Sequence, residues 1–302
     1  MTAPRPTTGT ATWDEIASQP DCWLTAQAQA DTALAGFPEP GERVLILGCG
    51  TSYYVAQAWS WLREQAGQGV TDALIASELT ARHRGYDRVV AISRSGTSID
   101  VVDSLALLDG SAPITAVLGE LGTPVGELAT DIIDLSYADE TSVVQTRFPS
   151  TMLALVRARL GGAAAARAEL VDRGRAAVAA GASEPMPRQL VVLGSGWAAA
   201  IAQEAALKCR ESAGMWAEAY ATGEYRHGPI SVAGPGTLVW GVSEIPAIVV
   251  SAIEATGARV RQSGPEPLAE LIQLQQHAVT WAASVGRDSD LPMHLSRSVL
   301  TT

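Results

Sequence analysis

Cysteine is scarce in this chain. Cys22, Cys49 and Cys209 are the three cysteines among 302 residues, at wide spacings, with no Cys-x-x-Cys pair and no Cys/His cluster. That pattern argues against a structural zinc site. An odd, dispersed set suits a reducing compartment, so a cytoplasmic protein is expected. Positive charge is also short: 21 Lys and Arg face 32 Asp and Glu, for a net charge of −11 and a pI near 4.8. Non-specific nucleic-acid binding needs a basic face to neutralise phosphates, so no nucleic-acid partner is expected. A small anionic ligand stays open, because a helix N-terminus can hold a phosphate inside an acidic protein. Long apolar runs are missing too. The longest, GTLVWGVSEIPAIVVSAIEATG, is broken by Glu244, Pro246 and Glu254, and none reaches the roughly 20 apolar residues of a membrane span. The opening MTAPRPTTGTATWDE has no apolar core and does not read as a secretory signal.

What is present is a chain built for a packed core. Hydrophobic residues make up 47% and charged residues 18%, far from a disordered composition. At roughly 150 residues per domain, the length suits two domains or one large one. Residues 13–35 read as a helix. RVLILGCGTS is a buried strand entering a glycine turn, followed by the helix YVAQAWSWLREQAG. DRVVAISRSGTS repeats strand and Ser/Gly turn, with IDVVDSLALL as its helix, and PITAVLG and DIIDLS are further strands. Short apolar runs alternating with helices point to a doubly wound parallel α/β sheet. Residues 151–187 are Ala- and Arg-rich and read as helical. Beyond them, Val191-Val192-Leu193-Gly194-Ser195-Gly196 repeats Leu45-Ile46-Leu47-Gly48-Cys49-Gly50, which suggests two copies of one unit. The second copy shows no equivalent of the Ser93–Ser98 turn. The organisation expected is an N-terminal helical segment over 1–35, a first unit over 36–160, a helical linker over 161–187, and a second unit with a C-terminal tail over 188–302.

Four constellations carry chemistry. The loop Ser93-Arg94-Ser95-Gly96-Thr97-Ser98 and the turn Gly48-Cys49-Gly50-Thr51-Ser52 each follow a strand and open a helix. Their hydroxyls, close backbone and free helix N–H groups are what a phosphate requires, at the strand ends where open sheets bind ligands. Either loop alone serves equally as a cap and a turn. Glu204, Lys208 and Glu211 lie at i, i+4 and i+7, hence on one face of a helix rich in alanine. Such spacing is often a solvated charge stripe; on a buried face, a carboxylate there would act as a base near neutral pH. His227, before Gly228-Pro229, sits at a turn, either as a surface residue or as a proton carrier. Arg147 is either a surface cation or a bidentate phosphate partner.

The motifs GCGTS, SRSGTS, EAALKCRE and AEAYATGEYRHGP, in this order, resemble the double sugar-isomerase (SIS) proteins: the isomerase half of glucosamine-6-phosphate synthase and the amino-sugar-phosphate deaminases. The resemblance covers nearly the whole chain and is most specific between Glu204 and Pro229. It implies two flavodoxin-like α/β units, a phosphosugar substrate, no metal or other cofactor, and a homodimer with a shared active site. By resemblance, Gly50, Thr51, Ser52, Ser93, Arg94, Ser95, Ser98, Thr146, Glu204 and Arg297 bind the substrate, with Arg94 where the family often has Gln. Glu211 matches the carboxylate that moves a proton between C1 and C2, Lys208 and Glu204 its helix companions, and His227 the histidine that assists ring opening. The synthase's tail lysine, which forms an imine with the open sugar, is matched by Arg297, and a guanidinium cannot form that imine. Without a glutaminase nucleophile (residue 2 is Thr), a deaminating isomerase acting on a 2-amino-2-deoxyhexose 6-phosphate is expected. Plain aldose–ketose isomerisation, a fructosamine-6-phosphate deglycase and a non-catalytic phosphosugar sensor stay open beside it.

Overall fold

The structure is a computed structural model that describes residues 5–79, 84–108, 110–262, 264 and 266–298. The chain forms two compact units. One holds Asp21–Glu140, Arg147–Arg167 and the chain's end from Ser296; the other holds the chain up to Pro20, Thr141–Thr146 and Ala168–Leu295.

The first of these is built on a five-stranded parallel sheet. Its strands are β1 (Val44–Gly48), β2 (Thr71–Ile75), β3 (Arg88–Ser93), β4 (Ile114–Leu118) and β5 (Asp131–Asp134), in the order β2-β1-β3-β4-β5. Every residue of β1 and β4 is buried, as expected for strands covered on both faces. Leu45, Leu47, Val89, Ala91, Ala116 and Leu118 form one core with Val101 and Leu105 of α4 (Ile99–Leu107). α3 (Thr51–Gln65) lies against β1 and β2. Near its end the fully buried Arg63 donates to the carbonyls of Glu39, Glu42 and Gly69 and to Thr71 Oγ1, which satisfies an interior guanidinium with backbone acceptors. α2 (Gln19–Ala30), α5 (Pro124–Glu127) and α6 (Arg147–Arg159) complete the helices of this half of the chain.

The other unit carries β6 (Gln189–Gly194), β7 (Ala217–Ala221), β8 (Thr237–Gly241) and β9 (Arg259–Gln262) in the order β7-β6-β8-β9, all parallel. This is the order of β2-β1-β3-β4, so the internal repeat extends to topology. α8 (Ala198–Ala213) packs against β6, β7 and α10 (Pro267–Ser284). Val191, Leu193 and Val239 pack with Val249 and Ile253 of α9 (Ala247–Glu254).

The expected helix over 13–35 is two helices, α1 (Thr10–Ala17) and α2. The break falls at Ser18, which caps α1, and Pro20 then sits in the first turn of α2, where its missing N–H is harmless. α1 starts earlier than its apolar pattern because Asp290 accepts the N–H groups of Ala11 and Thr12 and the Thr12 hydroxyl. The Ala/Arg-rich region holds most of α6 and all of α7 (Ala164–Ala180), separated at Gly161-Gly162. Strands β2, β7 and β9 are short and lack a long apolar run, which is why pattern reading passes over them. The second copy does have a counterpart of the Ser93–Ser98 turn: residues 242–246 join β8 to α9. It holds one hydroxyl, Ser243, whose Oγ accepts the Ser195 N–H at 3.0 Å.

Candidate functional site

In the five-stranded sheet the chain leaves β1 toward β2 on one side and β3 toward β4 on the other, so the C-terminal ends of the adjacent strands β1 and β3 flank a switch point. Both hydroxyl loops sit there. Ser93, Arg94 and Ser95 are buried, as are Thr51 and Ser52. Ser93 Oγ accepts the Gly96 N–H at 3.0 Å, and Thr97 Oγ1 lies 3.0 Å from Ser95 Oγ. Gly96 has φ +63°, and a Cβ there would lie 1.9 Å from Thr123 Oγ1, so the loop closes only with glycine. Ser98 occupies the N-cap of α4 and makes no side-chain cap bond, and Gly50 occupies that of α3. Capping, the structural alternative for Ser98, is therefore not what its hydroxyl does.

Arg94 and Arg297 lie in the same unit. The Arg94 side chain is 1% exposed; its Nη2 donates to the Arg297 carbonyl at 3.1 Å and its Nη1 is 3.9 Å from Glu140 Oε2. Arg297 reaches the Asp139 carboxylate at 2.9 Å through Nη2. Arg147 donates to the Asp139 carbonyl, at 2.9 Å from Nε, so the bidentate fork offered to a phosphate holds a backbone corner in this structure.

The remaining candidates belong to the other unit. On α8, Lys208 Nζ is 2.6 Å from Glu211 Oε2 and 3.5 Å from Glu204 Oε1. Lys208 and Glu204 are buried, with side chains 1% and 2% exposed, while Glu211 is 19% exposed. This is no solvated stripe: an ammonium sits in the interior between two carboxylates, one of which reaches the surface. Lys208 is also the single lysine of the chain. His227 ends a 3₁₀ turn over Glu224–His227 and is exposed. Thr146 is buried, and its carbonyl accepts Gln275 Nε2 at 3.5 Å. The structure thus groups the two hydroxyl loops with Arg94 and Arg297, and Glu204 with Lys208 and Glu211.

Residues that sequence reading left out are Asp139, Glu140 and Ser298, which contact Arg297, Arg94 and Thr97. The acidic pair in ADETS was the available signal. Among the described residues no cluster of His, Cys, Asp and Glu could hold a metal ion, and no helix is long and apolar enough to cross a membrane.

No family model matches the chain. An isomerizing glutamine–fructose-6-phosphate aminotransferase from Aeropyrum pernix is 30% identical over 271 residues, 78% of this chain and 43% of that protein. The chain spans about half the length of the curated relatives it matches. The crystal structure of glucosamine-6-phosphate deaminase from Thermotoga maritima superposes with a TM-score of 0.80 at 23% identity, covering 96% of this chain and 100% of that one. That of tagatose-6-phosphate ketose/aldose isomerase from Escherichia coli gives 0.80 at 19% identity, covering 99% and 98%. The α/β fold with two parallel sheets and the sugar-isomerase resemblance read from the motifs both hold.

Proposed function

We propose that this chain, a homologue of the isomerizing glutamine–fructose-6-phosphate aminotransferases with a sugar-isomerase fold, is a phosphosugar isomerase that deaminates a 2-amino-2-deoxyhexose 6-phosphate. The observation that carries the reading is the Glu204–Lys208–Glu211 trio, with Glu204 and Lys208 buried and Glu211 reaching the surface. A sensor needs hydroxyl loops for the phosphate but has no use for an interior ammonium that orients a partly exposed carboxylate.

Ser52, Ser93, Ser95 and Ser98 hold the phosphate, with Gly50 and Thr51 at the start of α3 supplying close backbone and helix N–H groups. His227, exposed at its turn, opens the sugar ring in a site completed by a second copy of the chain. Thr146 shapes the substrate's surroundings through the backbone it fixes. Glu211 takes the proton from C2 of the open aldehyde, giving an enolamine, and returns it to C1. The C2 ketimine that results is hydrolysed by water, releasing ammonia and leaving a ketohexose 6-phosphate. Lys208 keeps Glu211 Oε2 in place through the 2.6 Å bond. Hydrogen-bonded to Glu211 and ion-paired with Glu204 at 3.5 Å, it serves as a cation rather than as an imine-forming amine.

The test is ammonia release together with deuterium exchange at C2 and C1 in heavy water, on glucosamine 6-phosphate and galactosamine 6-phosphate, for wild type and Glu211→Gln. Ammonia from wild type alone supports the deaminase. Exchange without ammonia supports plain aldose–ketose isomerisation, which the likeness to the tagatose-6-phosphate isomerase favours as the second reading. Neither signal, with phosphosugars still raising the Tm, would remove catalysis and leave a binding protein. Borohydride added during turnover should leave the protein mass unchanged, because Lys208, the single lysine, is not a Schiff-base residue.

A further inference from the structure

One corner of the five-stranded unit gathers three guanidiniums. Arg147 donates to the carbonyl of Asp139 through Nε and Nη2, and its backbone N–H goes to Glu140 Oε1 at 2.8 Å. Arg94 Nη1 stands 3.9 Å from Glu140 Oε2. Arg297, near the chain's end, has Nη2 at 2.9 Å from each carboxylate oxygen of Asp139 and 3.5 Å from Glu120, while its Nη1 donates to the Glu140 carbonyl. Arg297 thus meets the carboxylates of Asp139 and Glu120, Arg94 stands beside that of Glu140, and Arg147 holds the backbone between them. The Arg94 guanidinium thus has the Glu140 carboxylate beside it.

The same corner seats the chain's end against that loop. The Arg297 carbonyl accepts from Arg94 at 3.1 Å, and Ser298 Oγ lies 3.0 Å from Thr97 Oγ1, which is itself 3.0 Å from Ser95 Oγ. Gly119 makes the approach possible. A Cβ on it would stand 3.1 Å from Arg94 Cγ and 3.2 Å from Asp139 Oδ1, and its N–H, with that of Glu120, fixes the Arg94 carbonyl at 3.0 Å.

We infer that Asp139 and Arg94 are positioning residues that hold Arg297 and Ser298 as a C-terminal strap against the Ser93–Ser98 loop. The inference rests on the isomerase reading for the loop's ligand. Arg94, at a position of the anion loop, acts on the strap and not on the phosphate. Arg297 works as a pin in place of a reactive amine. Its pair with Asp139 is about one-third exposed on each side, so added salt loosens the strap.

Limited trypsin cleavage tests this directly. Cutting after Arg297 removes the last five residues, which intact-mass spectrometry detects. Loss of one charge-assisted, partly exposed pair in Asp139→Asn should speed that release about five-fold, with Gly119→Ala moving it in the same direction by crowding Arg94 and Asp139. KM for the amino-sugar phosphate should rise by a similar factor with kcat changed less. Equal release rates in wild type and both variants would overturn the strap. Faster release at an unchanged KM would overturn its positioning role. Absence of turnover in wild type would sink the isomerase reading alone, since the release rates need no substrate and still decide whether the strap exists.

Discussion

Stability should fall between neutral pH and about pH 4 because of one buried histidine. His277 on α10 is fully buried. Its Nε2 accepts two backbone N–H groups, from Ser183 at 2.9 Å and Glu184 at 3.0 Å, and so carries no proton. Its Nδ1 therefore bears the hydrogen, donated to the Gln273 carbonyl at 2.6 Å. The Trp240 and Trp281 rings pack against it, Arg261 Nη1 of β9 stands 3.4 Å from Nε2, and Glu184 is the carboxylate nearby. A proton on Nε2 would face three donors and no acceptor. Burial, with Arg261 adding to it against the Gln273 bond and Glu184, lowers the pKa from 6.5 to about 4. The unfolded chain takes up this proton near pH 6.5 and the folded one only near 4, so acid favours unfolding. The contribution is complete above the unfolded pKa and is lost as pH falls through this window. A shift of about 2.5 units is worth about 3 kcal/mol. Urea unfolding of wild type and His277→Gln at about pH 7 and about pH 4.5 reads it out. The wild type should lose about 2.5 kcal/mol more than the variant over that span. Equal pH dependence in the two, or an imidazole that titrates near 6.5 by NMR, would refute the reasoning.

Four further perturbations have defined outcomes. Gly96→Ala should cost at least about 2 kcal/mol, from a left-handed alanine and the clash with Thr123, and should abolish phosphate-dependent thermal stabilisation. Asp290→Ala removes the acceptor for two N–H groups of α1 and the Thr12 hydroxyl, and should lower stability by about 1–2 kcal/mol in chemical denaturation. Lys208→Met leaves Glu204 in the interior without its cation and should destabilise by about 3–5 kcal/mol. Glu211→Gln, at a side chain that reaches the surface, should change the Tm little while kcat falls by about two to four orders of magnitude.

The main strands of both sheets were legible because burial on both faces forces a near-continuous apolar run, as in Val44–Gly48 and Gln189–Gly194. The hydroxyl loops were legible for a related reason: a turn between a parallel strand and a helix needs glycine, and here the serines come with it. Spacing on α8 put Glu204, Lys208 and Glu211 on one face, but only the packing of α10 and the sheet around that helix turned the face inward. Short edge strands such as β9 give little apolar signal, and the start of α1 depends on Asp290, which lies 278 residues further along the chain from Thr12.

The repeated strand–turn–helix order, the identities of the hydroxyls and carboxylates, and the acidity of the chain follow from the residues alone, since all are properties of local neighbours and composition. Tertiary structure alone decided which charges are interior and which partners they meet. Arg94 and Arg297 looked like substrate ligands from their motifs, yet their guanidiniums are directed to Glu140 and Asp139. His277 gave no signal at all in the sequence, because its neutral state is fixed by two backbone amides from a segment 93 and 94 residues away. Electrostatic roles of this kind depend on distance and desolvation, and neither is written in the order of residues.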